Sequence, residues 1–442
     1  MPEFLKLLPP DDARTLLLSQ IGTPAVTAES VDTASALHRV TAEDILAPHP
    51  LPEFTRSSVD GYAVRAQETY GAGDSSPAYL PLAGEVPMGA APAFDLAAGE
   101  AALIHTGGML PAGSNAVVML ENTQAVLGPA NSIEPKRDAG RISTEGPKAE
   151  SGLVAGMEIE VLKAVAVGEN VIRAGEDVFK GQVVVARGVR LRPAEIGGLM
   201  ALGIVAVRVA REPRVGIISS GDEIVAPHRQ PAPGQVRDVN AYTLACMVAE
   251  QGGQAVHYGI VQDEVEALRG LAEQAARDCE VVLISGGSSA SARDTTAKVI
   301  QAMGLPGVLV HGINIRPGKP TILGRCAEKV IVGLPGNPVS ALVIGYLFVG
   351  PVLERLVGLA NRGPAATIRA RLTVNLPSQT GREDWWPAKL SPSGAPATDW
   401  LAEPIFGKSN LIFSLAAAAG LIRIPPEANG LAAGEIVSVY PI

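Results

Sequence analysis

The chain has 442 residues, a formal net charge of −9, and 18% charged against 47% hydrophobic residues. That length exceeds one compact core and predicts about three or four domains. The negative balance excludes a general nucleic-acid-binding surface, although local Lys, Arg and backbone N–H groups can still hold a small anion. Cys246, Cys279 and Cys326 make no CxxC pair and no disulfide framework, so a reducing, cytoplasmic setting is expected. The six histidines show neither HxxxH nor HExxH spacing, so no zinc site is predicted. The start, MPEFLKLL, carries an early acid and no long apolar core, unlike a signal peptide.

In chain order, Asp11–Gln20 and Ala28–Leu46 are predicted to be helical. The second rests on a stripe of Val31, Ala34, Leu37 and Val40, ended by Pro48. Asp60-Gly61 in SSVDGYAVR is a turn signal of the kind that closes hairpins. From Tyr79 to Ile159 short Val/Ala runs alternate with Gly and Pro, which predicts a β-rich stretch. Pro193–Leu202 is read as a short helix with Glu195 in its first turn, and Gly203–Val209 as a strand.

Between Pro213 and Val343 an apolar, β-branched run breaks off into a glycine loop three times. Val215–Ile218 runs into Ser219-Ser220-Gly221-Asp222, and Val281–Ile284 into Ser285-Gly286-Gly287-Ser288-Ser289. Val330–Val332 runs into Gly333-Leu334-Pro335-Gly336-Asn337. Such runs suit strands buried on both faces of a parallel sheet. Helix-like Asn240–Gln251 and Asp263–Asp278, around the strand-like Ala255–Val261, complete a layered α/β pattern. Ligands of such sheets sit beyond the carboxyl ends of the strands, where these loops fall. Val339–Leu353 is broken by Gly345, Gly350 and Pro351 and is short of the roughly 20 residues that span a bilayer, so it is read as a buried helix. Gly358–Pro364 reads as a linker, and Ala366–Ile442 as a small β-barrel or sandwich.

Within this frame, the small and hydroxyl residues of Ser285–Asp294 leave backbone N–H groups for phosphate-like oxygens, a tight turn being the plain alternative. IRPGKP sets Arg316 and Lys319 around Pro317-Gly318, which suits a polyanion; a merely exposed turn is the bland reading. In GLPGNPVSA, Asn337-Pro338 opens a helix whose N-terminus can bind an anion. Asp60, Asp222, Asp238 and Asp294 each stand in a loop context. One alone is usually a cap, but several converging would hold Mg²⁺.

Together these strings resemble the MoeA family of molybdopterin molybdotransferases, which includes the gephyrin E domain. The resemblance spans nearly the whole chain in order. It takes in DGYA at Asp60, Gly61 and Tyr62, and TGxxxPxG at Thr106, Gly107, Pro111 and Gly113. It continues with GED at Gly175, Glu176 and Asp177, Glu195 of RPAEIG, and Gly221, Asp222 and Glu223 of SSGDEI. Asp238 and Asn240 of RDVN, IRPGKP and GLPGNPVSA complete it. Departures are Ser288, Ala290 and Ser291 in the GGSSASARD loop, Arg316 where the family often has Lys, and Ala419 in place of an Asn.

The resemblance implies an enzyme of molybdenum cofactor biosynthesis that inserts molybdate into adenylylated molybdopterin. The adenylyl group is hydrolysed off with Mg²⁺ and AMP is released. It implies a three-layer α/β molybdopterin-binding domain (1–20 with 191–358), a connecting domain (21–50 with 150–190), a β-rich inserted domain (51–149) and a C-terminal β-barrel (364–442). It also implies a homodimer sharing its sites, partnered by a molybdopterin adenylyltransferase and recipient molybdoenzymes, with no nucleic acid or membrane. Carried over residue by residue, Asp60, Asp222, Asp238, Asp294 and Glu195 are expected to be catalytic, with Asp222, Asp238 and Asp294 positioning Mg²⁺. Substrate contacts are expected at Thr106, Asp177, Ser220, Gly221, Gly286, Gly287, Ser288, Ser289, Arg316, Pro317, Gly318, Lys319, Pro335, Gly336, Asn337, Pro338, Ser340 and Arg382. A non-catalytic molybdopterin-binding scaffold with an altered GGSSAS loop is the competing reading.

Overall fold

The structure, a computed structural model, describes residues 7–22, 25–127, 157–286, 290–360, 366–395 and 398–442, with residues 127, 290–294, 395, 398 and 399 through their backbone alone. The chain divides into two compact units, Met1–Glu43 with Ala186–Gly197 and Val205–Ile442, and Asp44–Val185 with Gly198–Ile204.

The first unit is built on a six-stranded sheet. Its strands are β1 (Arg214–Ser220), β2 (Gln254–Val261), β3 (Val281–Gly286), β4 (Pro306–His311), β6 (Ile322–Cys326) and β7 (Lys329–Leu334), in the order β2-β1-β3-β7-β6-β4. The first four in that order run parallel, as the apolar runs predict. β6 lies antiparallel to β7, and β4 antiparallel to β6, so the sheet is mixed rather than wholly parallel. Alternate residues serve two cores. Val215, Ile217, Val281, Leu283, Val330 and Val332 pack towards helices Pro10–Ile21, Asn240–Glu250 and Pro338–Leu356. Ile218, Val282, Ile284 and Ile331 pack towards Val265–Asp278 and Ala290–Ala302. Burial on both faces is why the runs are apolar throughout instead of alternating.

The apolar run ending at Leu353 is one helix, Pro338–Leu356, with a π-helical stretch at Gly345–Val349 that carries it past both glycines. It is long and apolar enough to cross a bilayer, but it packs into the sheet's core.

The tail forms a closed barrel of β8 (Ile368–Leu372), β9 (Glu383–Ala395), β10 (Thr398–Pro404), β11 (Gly420–Ile424) and β12 (Ile436–Pro441). Its ring is β9-β10-β8-β12-β11-β9. The two-residue β5 (Ile315–Arg316) leaves the α/β layer and pairs in parallel with Glu383–Asp384 of β9. The stretch IRPGKP is thereby held between sheet and barrel.

The helix predicted over Ala28–Leu46 is absent. Ala28–Asp32 is a strand, antiparallel to Ala206–Ala210 with Val31 opposite Val207, and only Thr33–Ser35 makes a 3₁₀ turn. The supposed stripe shares no face: Leu37 is 45% exposed while Ala36 is fully buried, and His38 takes φ 67° where the chain reverses. Helical spacing here was coincidental, and pairing with a strand far along the chain overrode it.

The second unit carries a six-stranded sheet in the order Ala116–Met119, Gly61–Val64, Ala101–Ile104, Ala78–Glu85, Met157–Val161, Thr123–Leu127. Asp60-Gly61 is not a hairpin turn. Gly61 is already in a strand, where a Cβ would lie 1.9 Å from the carbonyl oxygen of Val118, so glycine is required for close backbone approach.

Candidate active site

The carboxyl ends of β1, β3 and β7 form a ridge of hydroxyl and carboxylate groups, almost all paired with one another. Ser219 Oγ donates to Asp238 Oδ2 at 2.6 Å, and Asp238 Oδ1 accepts the N–H of Ala241, capping helix Asn240–Glu250. Ser220 Oγ donates to Asp263 Oδ1 at 2.6 Å, and the N–H of Asp263 donates to Asp222 Oδ1 at 3.3 Å. Asn240 Nδ2 donates to Ser285 Oγ (2.6 Å) and to the Gly336 carbonyl (2.9 Å), pinning two of the predicted loops together. Gly221 follows β1 directly and Gly286 ends β3. The loop at Gly287, Ser288 and Ser289 lies outside the described residues, as does the side chain of Asp294, whose backbone belongs to helix Ala290–Ala302.

Beside this ridge lies a cavity of about 480 Å³ between the α/β layer and the barrel. Arg316, Pro317, Gly318 and Lys319 form one wall; Pro335, Asn337 and Ser340 form a second. The barrel supplies Arg382, Trp385, Trp386, Lys408, Ser409 and Ser414. Gly318 has φ 116°, and a Cβ there would fall 2.5 Å from Ile344 Cδ1, so the turn between the two cations needs glycine. Pro320 and Pro335 line both this cavity and a small crevice that reaches Gly286, so the basic turn and the β3 loop adjoin.

The charges of the cavity are unbalanced. Arg382 is matched by a bidentate pair to the fully buried Asp384, at 2.6 and 2.9 Å. Arg316, Lys319 and Lys408 make no ion pair among the described residues, and no carboxylate lines the wall. Three cations with no ion pair among the described residues, around a recess with serine hydroxyls, have the chemistry to hold an oxyanion. The helix start at Pro338 is partly taken: Val339 N–H donates to the Ser409 carbonyl, and Asn337 Nδ2 to Ser409 Oγ, 2.9 Å. The predicted anion site there is thus half closed by a barrel loop. The sequence reading missed Trp385, Trp386, Lys408, Ser409 and Ser414; the available signal was the Trp-Trp pair so close to Arg382.

Three family models match the chain in order: the MoeA N-terminal region (domain I and II) over residues 8–203, a probable molybdopterin-binding domain over 216–355, and the MoeA C-terminal region (domain IV) over 369–442. A molybdopterin molybdenumtransferase of Mycobacterium tuberculosis is 32% identical, covering 90% of this chain and 91% of its own. One of Haemophilus influenzae is 30% identical over 98% of both. The chain belongs to the MoeA family. The crystal structure of a MoeA protein from Pyrococcus horikoshii superposes with a TM-score of 0.79 at 31% identity, covering 98% of this chain and all of that one.

The remaining MoeA-type positions belong to other elements. In the second unit the Asp60 carboxylate accepts the Thr106 N–H at 2.7 Å, which lowers its pKa, and His105 Nδ1 stands 3.9 Å away. His105 Nε2 lies 3.0 Å from Glu85 Oε1, so the imidazole sits between two carboxylates. Asp60 and Thr106 are thus brought together; Asp177 is exposed on its own turn. Glu195 is a capping residue: Oε2 accepts the Arg192 N–H, and Oε1 lies 2.5 Å from the Arg192 guanidinium. Hydrogen bonding from that guanidinium pulls its carboxyl down to about 2. Among the described residues no three acidic, histidine or cysteine side chains gather at a metal-binding distance.

Proposed function

We propose that this chain is a molybdopterin molybdotransferase, inserting molybdate into adenylylated molybdopterin and releasing AMP. The observation that carries the proposal is the cavity with three cations, Arg316, Lys319 and Lys408, that make no ion pair among the described residues, adjoining the loop ridge of the sheet. A metal oxyanion and a phosphorylated pterin must be brought side by side. Two unit charges ~4 Å apart repel by about 4 kcal/mol at an effective dielectric near 20. Cations fixed on a rigid turn offset that cost without reorganising at the moment of reaction. The binding-only alternative has no feature of the described cavity in its favour.

Magnesium fits the ridge better through Asp222 and Asp263 than through Asp238. The first two adjoin one another with Ser220, whereas Asp238 is spent on Ser219 and a helix cap. These are hard oxygen donors, and Mg²⁺ takes one or two carboxylates plus substrate phosphate. Bound there, the ion would neutralise charge on the phosphoanhydride. The protein's own groups would bind the oxyanion (Arg316, Lys319), shield it from bulk water (Trp385, Trp386) and order the loops (Asn240). Three free thiols support a cytoplasmic setting, and the resemblance supports a homodimer in which Asp60 and Thr106 of one subunit serve the other's site. An adenylyltransferase would supply its substrate, and apo-molybdoenzymes would receive its product.

The deciding experiment supplies purified protein with adenylylated molybdopterin, Mg²⁺ and molybdate, and reads AMP release and activation of an apo-molybdoenzyme. Molybdate-dependent release of AMP is expected; binding of the pterin with neither output would overturn the proposal. Mixing inactive Asp60→Ala and Asp294→Asn subunits should restore part of the activity if the sites are shared.

A further inference from the structure

We infer that Trp386 is a positioning residue for Arg316, holding its guanidinium against the indole at the cavity wall so that it is ordered before an oxyanion arrives. The inference rests on the oxyanion reading of the cavity. Arg316 Cζ lies 5.3 Å from the Trp386 ring centroid, inside cation–π range. Strand pairing builds the contact. Arg316 on β5 is registered with Asp384 on β9, and Trp386 follows two residues on, on the same face of the strand. Asp384 would be the natural partner for Arg316, but it is engaged bidentately by Arg382. Arg316 is therefore left with an aromatic face and no carboxylate among the described residues, which orders it while keeping its donors free.

Trp386 is itself held from two directions. Its backbone pairs with Ile422 of β11, and its ring meets Phe406 at 5.5 Å and 67°. Phe406 begins the segment that brings Lys408, Ser409 and Ser414 to the cavity. A planar guanidinium stacks in this way and still presents its rigid fork, a geometry that an ammonium on a flexible stem does not reproduce. Ordering the side chain beforehand reduces what binding must immobilise.

Titration of the full-length protein with sodium molybdate by calorimetry tests the inference through a double-mutant cycle. Trp386→Ala should weaken binding about fivefold, the range of an exposed cation–π contact, while Trp386→Phe stays within about twofold. In an Arg316→Ala background, where no cation faces the indole, Trp386→Ala should cost nothing further. In turnover the loss should appear in KM for molybdate rather than in kcat. An equal loss in both backgrounds would show that Trp386 merely supports the wall, and would overturn the inference. Should the alanine variant not fold, Trp386→Leu keeps apolar bulk without the π face and completes the same cycle. If wild-type protein takes up no molybdate, the oxyanion reading itself fails; if it binds but the cycle is additive, only the role of Trp386 does.

Discussion

The ridge at the strand ends and the neighbouring cavity are both rich in polar groups but treat them in opposite ways. On the ridge almost every polar group has an internal partner: Ser219 with Asp238, Ser220 with Asp263, Asn240 with Ser285 and Gly336. In the cavity three cations make no ion pair among the described residues. Internal satisfaction holds loops in place, and unsatisfied charge awaits a ligand. The contrast predicts that substitutions at the ridge's structural pairs, Ser219, Asp238 and Asn240, read out mainly in stability and cavity substitutions mainly in turnover.

The largest expected effect tests the cavity. Lys319→Met should lower kcat/KM for molybdate about a hundredfold, the scale of one charge-assisted hydrogen bond, with little change in Tm. A Tm loss without a kinetic one would break the distinction. Next, Asp238→Ala removes a helix cap and the acceptor of a buried hydroxyl, so unfolding in urea should show a loss of about 2–3 kcal/mol, with Asp238→Asn losing less. Arg382→Ala strands the buried carboxylate of Asp384. About 2 kcal/mol should be lost, and recovered in part by Arg382→Ala with Asp384→Asn, since the arginine is itself partly exposed. The smallest effect concerns Glu195. Its folded pKa is depressed, so its contribution is present above the unfolded value and lost as pH falls towards about 2. Glu195→Gln keeps the cap but not the charge. It should cost under about 1 kcal/mol at pH 7, and the gap should close between about pH 5 and pH 2 in thermal melts.

The sheet was legible where local signals agreed. Apolar runs ending in glycines marked β1, β3 and β7, and turn density marked the barrel. The mixed edge was not legible, because nothing in Ile322–Cys326 states which way it runs beside β7. Ala28–Asp32 was misread because its partner, Ala206–Ala210, is remote in sequence and supplied the hydrogen bonds that decide its state. In the site, Arg316, Lys319 and Arg382 were found from their motifs and do meet. Lys408 and Trp386 were missed, because only barrel closure brings Glu383–Ala395 and the segment after Pro404 against the Pro-Gly turn. Asp238 and Asp222 were grouped as equivalent carboxylates, yet hydrogen bonding separates a helix cap from an exposed side chain.

The short strand Ile315–Arg316 has a consequence for building hybrids of this protein. Because its backbone is stitched into β9, and the Asn314 carbonyl also receives the Glu383 N–H, the arginine's address is written by the C-terminal barrel as much as by its own neighbours. A barrel exchanged with a relative's would bring a foreign seam to the turn unless residues from about Gly312 to Pro320 travelled with it.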